Sequence, residues 1–333
     1  MKAVYVKEFG GIENLEIREV ENLPQPISNQ VLVNVKAAAL NRADLLQRRG
    51  LYPAPKGYPE RILGLEFAGE VVEIGGNVTD FKLGDRVFGI TASGAQAEYL
   101  LTDASILAKI PENLSWTEAA AIPEAFITAH DAIFTNGNLK EGETLLIHAV
   151  GSGVGLAALQ LAKAKNIKTL GTSRTSGKLE KAEKFGLDSA ILTNDDLGEN
   201  PKEFAEIVKH LTDGKGVDVI LDLVGAKYLQ ANLESLNLKG RLILVGTTSG
   251  AKAELNFSQV MGKRLKIIGT VLRSRPTAEK AEATKAFERD VIPLLKSRLI
   301  RANIDQIFKL EDIQAAHKYL ESNESFGKIV LDF

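Results

Sequence analysis

From about Glu124 onward the chain alternates apolar runs with amphipathic ones, and glycines join the first such pair: LLIHAVGSGVGLAALQLAK. A run of strand length, a turn holding Gly151, Gly153 and Gly155, and a helical pattern leave few ways to fold. The alternation then continues. Strand-like KTLGTS, SAILT, VDVILDLVG, RLILVGT and LKIIGTVL are separated by helix-like GKLEKAEKFG, PKEFAEIVKHLTDG, YLQANLESLNLKG and FSQVMGKR. Parallel strands need long crossovers, which helices supply. Six strands with crossover helices predict a doubly wound parallel sheet, the Rossmann arrangement. The strands are apolar almost throughout, as expected when helices cover both faces.

The first third has another rhythm. KAVYVKEF, VLVNVKAAAL, FAGEVVEIG, DRVFGI and AEYLLT read as strands between Gly and Pro turns, in the manner of a partly closed antiparallel barrel. One helical piece, NRADLLQRRG, interrupts them, and Gly50 suits its C-terminal stop. The tail carries a long helical pattern, AEKAEATKAFERDVIPLLKSR, then IDQIFKL, the helix DIQAAHKYLESN and a closing strand, GKIVLDF. A terminal strand needs a sheet to join, and the N-terminal barrel is the expected host. The chain's 333 residues are too many for one ordinary core. The expected organisation is therefore a discontinuous domain, residues 1–123 and 272–333, with an inserted α/β domain, residues 124–271.

Composition narrows the chemistry. There is no cysteine, so disulfides, thiolate nucleophiles and cysteine-based zinc sites are excluded. The histidines, His130, His148, His210 and His317, show no metal-ligand spacing. A net charge of −2 without a basic block argues against nucleic acid as the main partner. No run is apolar enough for a membrane span, and the N-terminus reads as a strand rather than a signal peptide. A cytoplasmic location is expected.

The glycine turn lets a backbone approach a pyrophosphate, and the following helix offers N–H groups and a positive dipole end. Its spacing departs from G-x-G-x-x-G: counting back from Gly155, the first two glycine positions hold Val150 and Ser152. The second strand of such a unit ends near the adenosine ribose, where NAD binders place an acid. Here stand Ser173, Arg174 and Thr175, with Lys178 close behind, and the nearest acid is Glu180. That set suits a 2′-phosphate, so NADPH is the expected cofactor. His148 and Trp116 read as packing residues.

The motifs GGIENLEI, ALNRADLLQRRGLYPAP, ILGLEFAGEV, LGDRVFG, GAQAEY, AAAIPEAFITAHDAI, HAVGSGVG, LRSR and AHKYLESNESFGKIVLDF extend from end to end. Together they resemble the zinc-free quinone oxidoreductases of the medium-chain dehydrogenase/reductase superfamily, on the branch that a tumour suppressor induces. The resemblance implies a GroES-like fold for the barrel domain. Zinc alcohol dehydrogenases of that superfamily have a Cys and a His where this chain has Asn41 and Leu65, and the cysteine-rich zinc lobe is missing. By resemblance, Ser152, Gly153 and Val154 meet the pyrophosphate and Lys178 the 2′-phosphate. Thr193 stands where relatives have a Tyr near the adenine. Thr128, Gly246, Thr247, Leu272, Arg273, Ser325 and Phe326 are carried over as further cofactor contacts. Asn41, Asp44 and Tyr52 are the expected substrate-side residues. Asn41 would donate from its amide, Tyr52 would supply a ring face and a hydroxyl, and Asp44 would order the helix start or bond a ribose.

The function this implies is metal-free hydride transfer from NADPH to a quinone, with the last proton from water or Tyr52. Reduction of 2-alkenals or enones is a second reading. A non-catalytic NADPH-binding protein, of crystallin or RNA-binding type, is a third. A homodimer is expected through LKIIGTVL, since a bare sheet edge exposes backbone groups and an isologous strand pair covers both edges.

Overall fold

The computed structural model describes residues 1–193 and 200–333. It forms two compact units, Met1–Ile127 with Leu272–Phe333, and Thr128–Val271. In chain order the first begins with β1 (Lys2–Val6) and β2 (Leu15–Glu19), an antiparallel pair. The strand reading missed β2 because Glu16, Arg18 and Glu19 dilute its apolar signal. What holds it is cross-strand: the Arg18 guanidinium lies 3.9 Å over the Tyr5 ring.

Next come β3 (Gln30–Ala39), α1 (Arg42–Arg48), β4 (Glu66–Ile74), β5 (Arg86–Ile90), β6 (Tyr99–Asp103) and β7 (Leu107–Lys109). Strand β3 pairs antiparallel with β4 and β6, β4 with β5, and β5 with β7. Alternate residues point inward, and Val31, Val33, Val35, Phe67, Val71, Val87 and Leu100 form one core. Helix α1 starts with a capping box: Asn41 accepts from the third helical residue, and the Asp44 carboxylate accepts from the Asn41 N–H at 2.7 Å. It stops at Gly50, whose φ of +72° continues the chain without Cβ strain. Then follow α2 (Trp116–Ala120), capped by Ser115 and Glu118, and α3 (Pro123–His130), which runs on as a π-helical turn, Asp131–Asn136.

The second unit alternates β8 (Thr144–Ile147), α4 (Gly153–Lys163), β9 (Lys168–Ser173), α5 (Ser176–Glu183), β10 (Ser189–Leu192), α6 (Pro201–Leu211), β11 (Val217–Asp222), α7 (Leu229–Ser235), β12 (Leu236–Leu244), α8 (Phe257–Lys263) and β13 (Lys266–Gly269). All pairs are parallel, in the order β10-β9-β8-β11-β12-β13. This is the doubly wound sheet, with its order reversing between β8 and β11. One boundary differs from expectation. The sequence predicts a helix through Gly240, but α7 ends at Ser235. Leu229, Leu233 and Leu236 keep helical spacing, yet Leu236 is already extended and pairs with Val217. Lys239, at φ +63°, sits in the irregular stretch before Arg241 rejoins the ladder.

The chain returns to the first unit as α9 (Thr277–Asp290), α10 (Ile292–Lys296), β14 (Ile304–Lys309), α11 (Ile313–Glu321) and β15 (Lys328–Asp332). The single long helix expected here is two, broken at Val291 with Pro293 just beyond, a residue with no N–H to donate. The closing strand β15 pairs antiparallel with β3, Val330 opposite Ala39, and parallel with β14. Head and tail thereby share a core of Val4, Leu15, Leu40, Leu45, Ile313 and Leu331.

Candidate functional site

In the second unit, β8 leads into α4 through a turn that only particular residues allow. Ala149 sits at φ +51°. Ser152 caps α4, its Oγ accepting from the Gly155 N–H at 3.1 Å. A Cβ at Gly155 would lie 2.6 Å from the Ala149 carbonyl oxygen and 2.8 Å from that of Val150, so helix and turn approach closely enough to demand glycine. Gly153 and Val154 open the helix, where N–H groups lack intrahelical partners. Such an end can hold an anion. Thus Ser152, Gly153 and Val154 fit a phosphate by donor chemistry.

Four buried side chains brace this turn. Asn232 donates to Asp222 at 3.0 Å, and its Oδ1 lies 2.6 Å from His148 Nε2. His148 Nδ1 lies 3.0 Å from Thr172 Oγ1, which accepts from the Ala149 N–H at 3.3 Å. Burial lowers the His148 pKa, keeping the ring neutral. His148 is therefore a strut between strands, as its sequence position suggested.

Ser173 ends β9, and its carbonyl accepts from the Thr193 N–H at 2.9 Å. Arg174, exposed, follows the strand directly, and Lys178 is half-buried in the first turn of α5, so both cations come after the strand end. Gly246 follows β12 against Leu223, where a Cβ would stand 2.5 Å from the carbonyl oxygen, and Thr247 is its neighbour. Thr128 is nearly buried within α3.

The first unit holds a denser cluster. Glu66, fully buried on β4, faces Lys328 at the start of β15, with Oε1 and Nζ 2.6 Å apart. Lys328 also donates to the Leu40 carbonyl at 2.8 Å and the Asn41 Oδ1 at 2.7 Å. Asn41 Nδ2 donates to Glu66 Oε1 at 2.9 Å, and the other Glu66 oxygen accepts from the Glu124 N–H at 2.9 Å. Asp44 is fully buried, one oxygen on the Asn41 N–H and the other on the Gly64 N–H at 3.0 Å. Burial pushes its pKa up to about 6 against those two bonds and the charges of Lys328 and Arg273. Glu124, half-buried at the head of α3, is pushed up to about 8, by burial first and the Glu66 carboxylate second.

These contacts revise several expected roles. The Asn41 amide is directed at Glu66 rather than left for a ligand oxygen. Both Asp44 oxygens hold backbone amides, so it orders the helix start, one of its two expected roles. Arg273, expected at the cofactor, is buried in the first unit. It donates to the carbonyls of Ala92 at 2.7 Å and Tyr52 at 2.9 Å, and to Gln47 Oε1. Its guanidinium also lies 4.5 Å from the Tyr52 ring centre. Burial raises the Tyr52 hydroxyl above its ordinary value. Leu272 and Phe326 are buried, and Ser325 is half-buried on the loop before β15. So Asn41, Asp44, Tyr52 and Arg273 gather with Glu66, Glu124 and Lys328, three residues the site reading missed. Glu66 and Lys328 carried a signal, as charges within apolar strand patterns. Glu124 carried none, because an acid at a helix start is ordinary.

Comparison with known proteins agrees with this architecture. Residues 27–112 match the alcohol dehydrogenase GroES-like domain family, and residues 153–289 the zinc-binding dehydrogenase family. A quinone oxidoreductase of Homo sapiens is 32% identical, the match covering 99% of this chain and 97% of that one. One of Pseudomonas aeruginosa is 34% identical, with 99% of each covered. The structure of an Escherichia coli quinone oxidoreductase complexed with NADPH superposes with a TM-score of 0.88 at 30% identity over all of both chains. Among the described residues, no three His, Asp or Glu side chains stand close enough to share a metal ion, and no helix is long and apolar enough to cross a membrane. With both domain families in place and relatives of this identity spanning its length, the chain belongs to the quinone oxidoreductase family of the medium-chain dehydrogenase/reductase superfamily.

Proposed function

We propose that this chain is an NADPH-dependent quinone reductase that works without a metal. The observation that carries the cofactor choice is the end of β9, where Ser173, Arg174 and Lys178 stand in place of an acid. The residues Ser152, Gly153 and Val154 would hold the pyrophosphate, and Gly246 and Thr247 the far half of the dinucleotide. The E. coli relative's complex with NADPH supports the same choice. Bound NADPH supplies a hydride at nicotinamide C4.

The first unit, residues 1–127 and 272–333, is assigned to the acceptor, and residues 128–271 to the cofactor. Tyr52 offers a ring face held in place by Arg273, which suits a flat, electron-poor acceptor. Asn41 and Asp44 build that wall rather than touch the acceptor. Arg273 serves by holding Tyr52, and Thr128, Leu272, Ser325 and Phe326 are assigned to the cofactor by resemblance. A quinone needs little further help, since its reduced product is aromatic and intrinsically stabilised. The chain is further assigned as a homodimer through β13 and as a cytoplasmic protein. NADPH consumption screened over quinones, enones and aldehydes tests the activity. Quinones should turn over fastest, and a clear preference for enones would replace this reading with alkene reduction.

A further inference from the structure

Three acids meet in the first unit, and two are fully engaged. Glu66 takes Lys328, Asn41 and the Glu124 N–H, while Asp44 takes the Asn41 and Gly64 amides. The Glu124 carboxyl alone accepts no hydrogen bond among the described residues, and it is only half-buried. The charged and titratable groups that act on it electrostatically are Glu66 from β4, Lys328 from β15, Asp44 from α1, Tyr52, Arg273, and Lys280 from α9. Their positive charges are directed elsewhere. Lys328 is 2.6 Å from Glu66, Arg273 is bonded to Ala92, Tyr52 and Gln47, and Lys280 lies 5.2 Å over the Tyr58 ring.

Resting on the quinone-reductase reading, we propose that Glu124 is the acid that protonates the reduced quinone. Hydride arrival brings two electrons and one hydrogen and leaves the quinone one proton short of hydroquinone. The O–H bond of the Glu124 carboxyl breaks, an O–H bond forms on the quinone oxyanion, and the Glu124 carboxylate regains a proton from water. NADPH is the reductant and leaves as NADP⁺. Magnitudes decide between donors. A hydroquinone oxyanion resembles a phenolate, whose proton affinity corresponds to a pKa of about 10. Glu124, at about 8, gives up a proton to it downhill. The Tyr52 hydroxyl, raised by burial, does not.

Infrared titration of the full chain and of Glu124→Gln reads the proton directly, without cofactor or substrate. The wild type should show a protonated carboxyl band at neutral pH that fades with a midpoint near 8, and the variant should lack it. In NADPH-driven quinone reduction, Glu124→Gln should lower kcat about 100-fold and lose the alkaline fall in rate, with NADPH affinity changed less than about 2-fold. Glu124→Asp keeps the acid, so it should retain much of the rate and shift the alkaline limb. It also serves as the test variant if the glutamine form does not fold. An active wild type whose glutamine variant keeps its kcat and pH limb overturns the role of Glu124, as does the absence of the titrating band. A wild type inactive with quinones but active with another acceptor overturns the functional reading itself, and with it the oxyanion this proton was meant for.

Discussion

Lys178 and Lys328 show how much a single cation's surroundings matter. Lys178 sits half-buried near the start of α5, beyond the end of β9. If it holds the 2′-phosphate, Lys178→Ala removes a charged hydrogen bond of roughly 1.5–3 kcal/mol, or one to two decades of affinity. NADPH binding should weaken by that amount and NADH binding barely change; titrations of nicotinamide fluorescence check this. Lys328 has the opposite task. Its ammonium makes three contacts inside the protein, and Glu66 has no water to turn to. Lys328→Met should cost about 3–5 kcal/mol in denaturant unfolding, because it strands a buried carboxylate. Adding Glu66→Gln should recover part of that loss, the sign of coupling between the two. Glu124 adds a pH dependence. Its folded pKa near 8 lies above the ordinary 4.5, so the folded chain binds the extra proton between those values. Its contribution is complete below the lower value and is lost as pH rises through the higher one. Glu124→Gln should therefore gain stability relative to wild type between about pH 5 and pH 8, by about 1–3 kcal/mol given its partial exposure. Unfolding midpoints at both pH values measure it.

Among the elements, β13 is the one whose register carries a consequence. It closes one end of the six-stranded sheet, and the Thr270 N–H donates to Leu244 of β12 at 3.0 Å. Backbone direction alternates along a strand, so Ile268 also faces β12, while Ile267 and Gly269 face the free edge. If two copies join along that edge, Ile267→Pro removes an outward N–H and should give a monomer in sedimentation. Ile268→Pro strikes β12 instead and should destabilise the fold itself. The α7–β12 boundary makes a different point. Periodicity alone could not end α7 at Ser235, because Leu236 is buried both as the next helical leucine and as the first strand residue. Pairing with Val217 settles it. Arg241 then holds the returning strand through Glu143, at 2.9 and 2.7 Å, and through the Gly137 carbonyl at 2.8 Å.

Across the whole molecule, Asp44 and Glu66 are satisfied by amides and a lysine, and by resemblance Asn41 and Leu65 stand where zinc alcohol dehydrogenases carry ligands. Catalysis in this reading needs only positioning and a proton, so exhaustive chelation should leave full quinone-reductase activity. Stoichiometric zinc in active protein, with activity lost on its removal, would refute that. The chain's path supports the same division of labour. It leaves the first unit at Ile127, builds the parallel sheet, and returns at Leu272 to finish the first core.

The sequence by itself determined the two rhythms, the parallel sheet, the return of the last strand and the glycine turn. Each rests on local pattern: periods of two and about 3.6, and a backbone approach that only Gly155 permits. Which charges would be neutral, paired or spare was decided by the tertiary structure alone. Glu66, Glu124 and Lys328 are separated along the chain and meet only when β15 closes on β3. Burial and the neighbouring Glu66 carboxylate set the protonation of Glu124, and neither exists before the chain has folded.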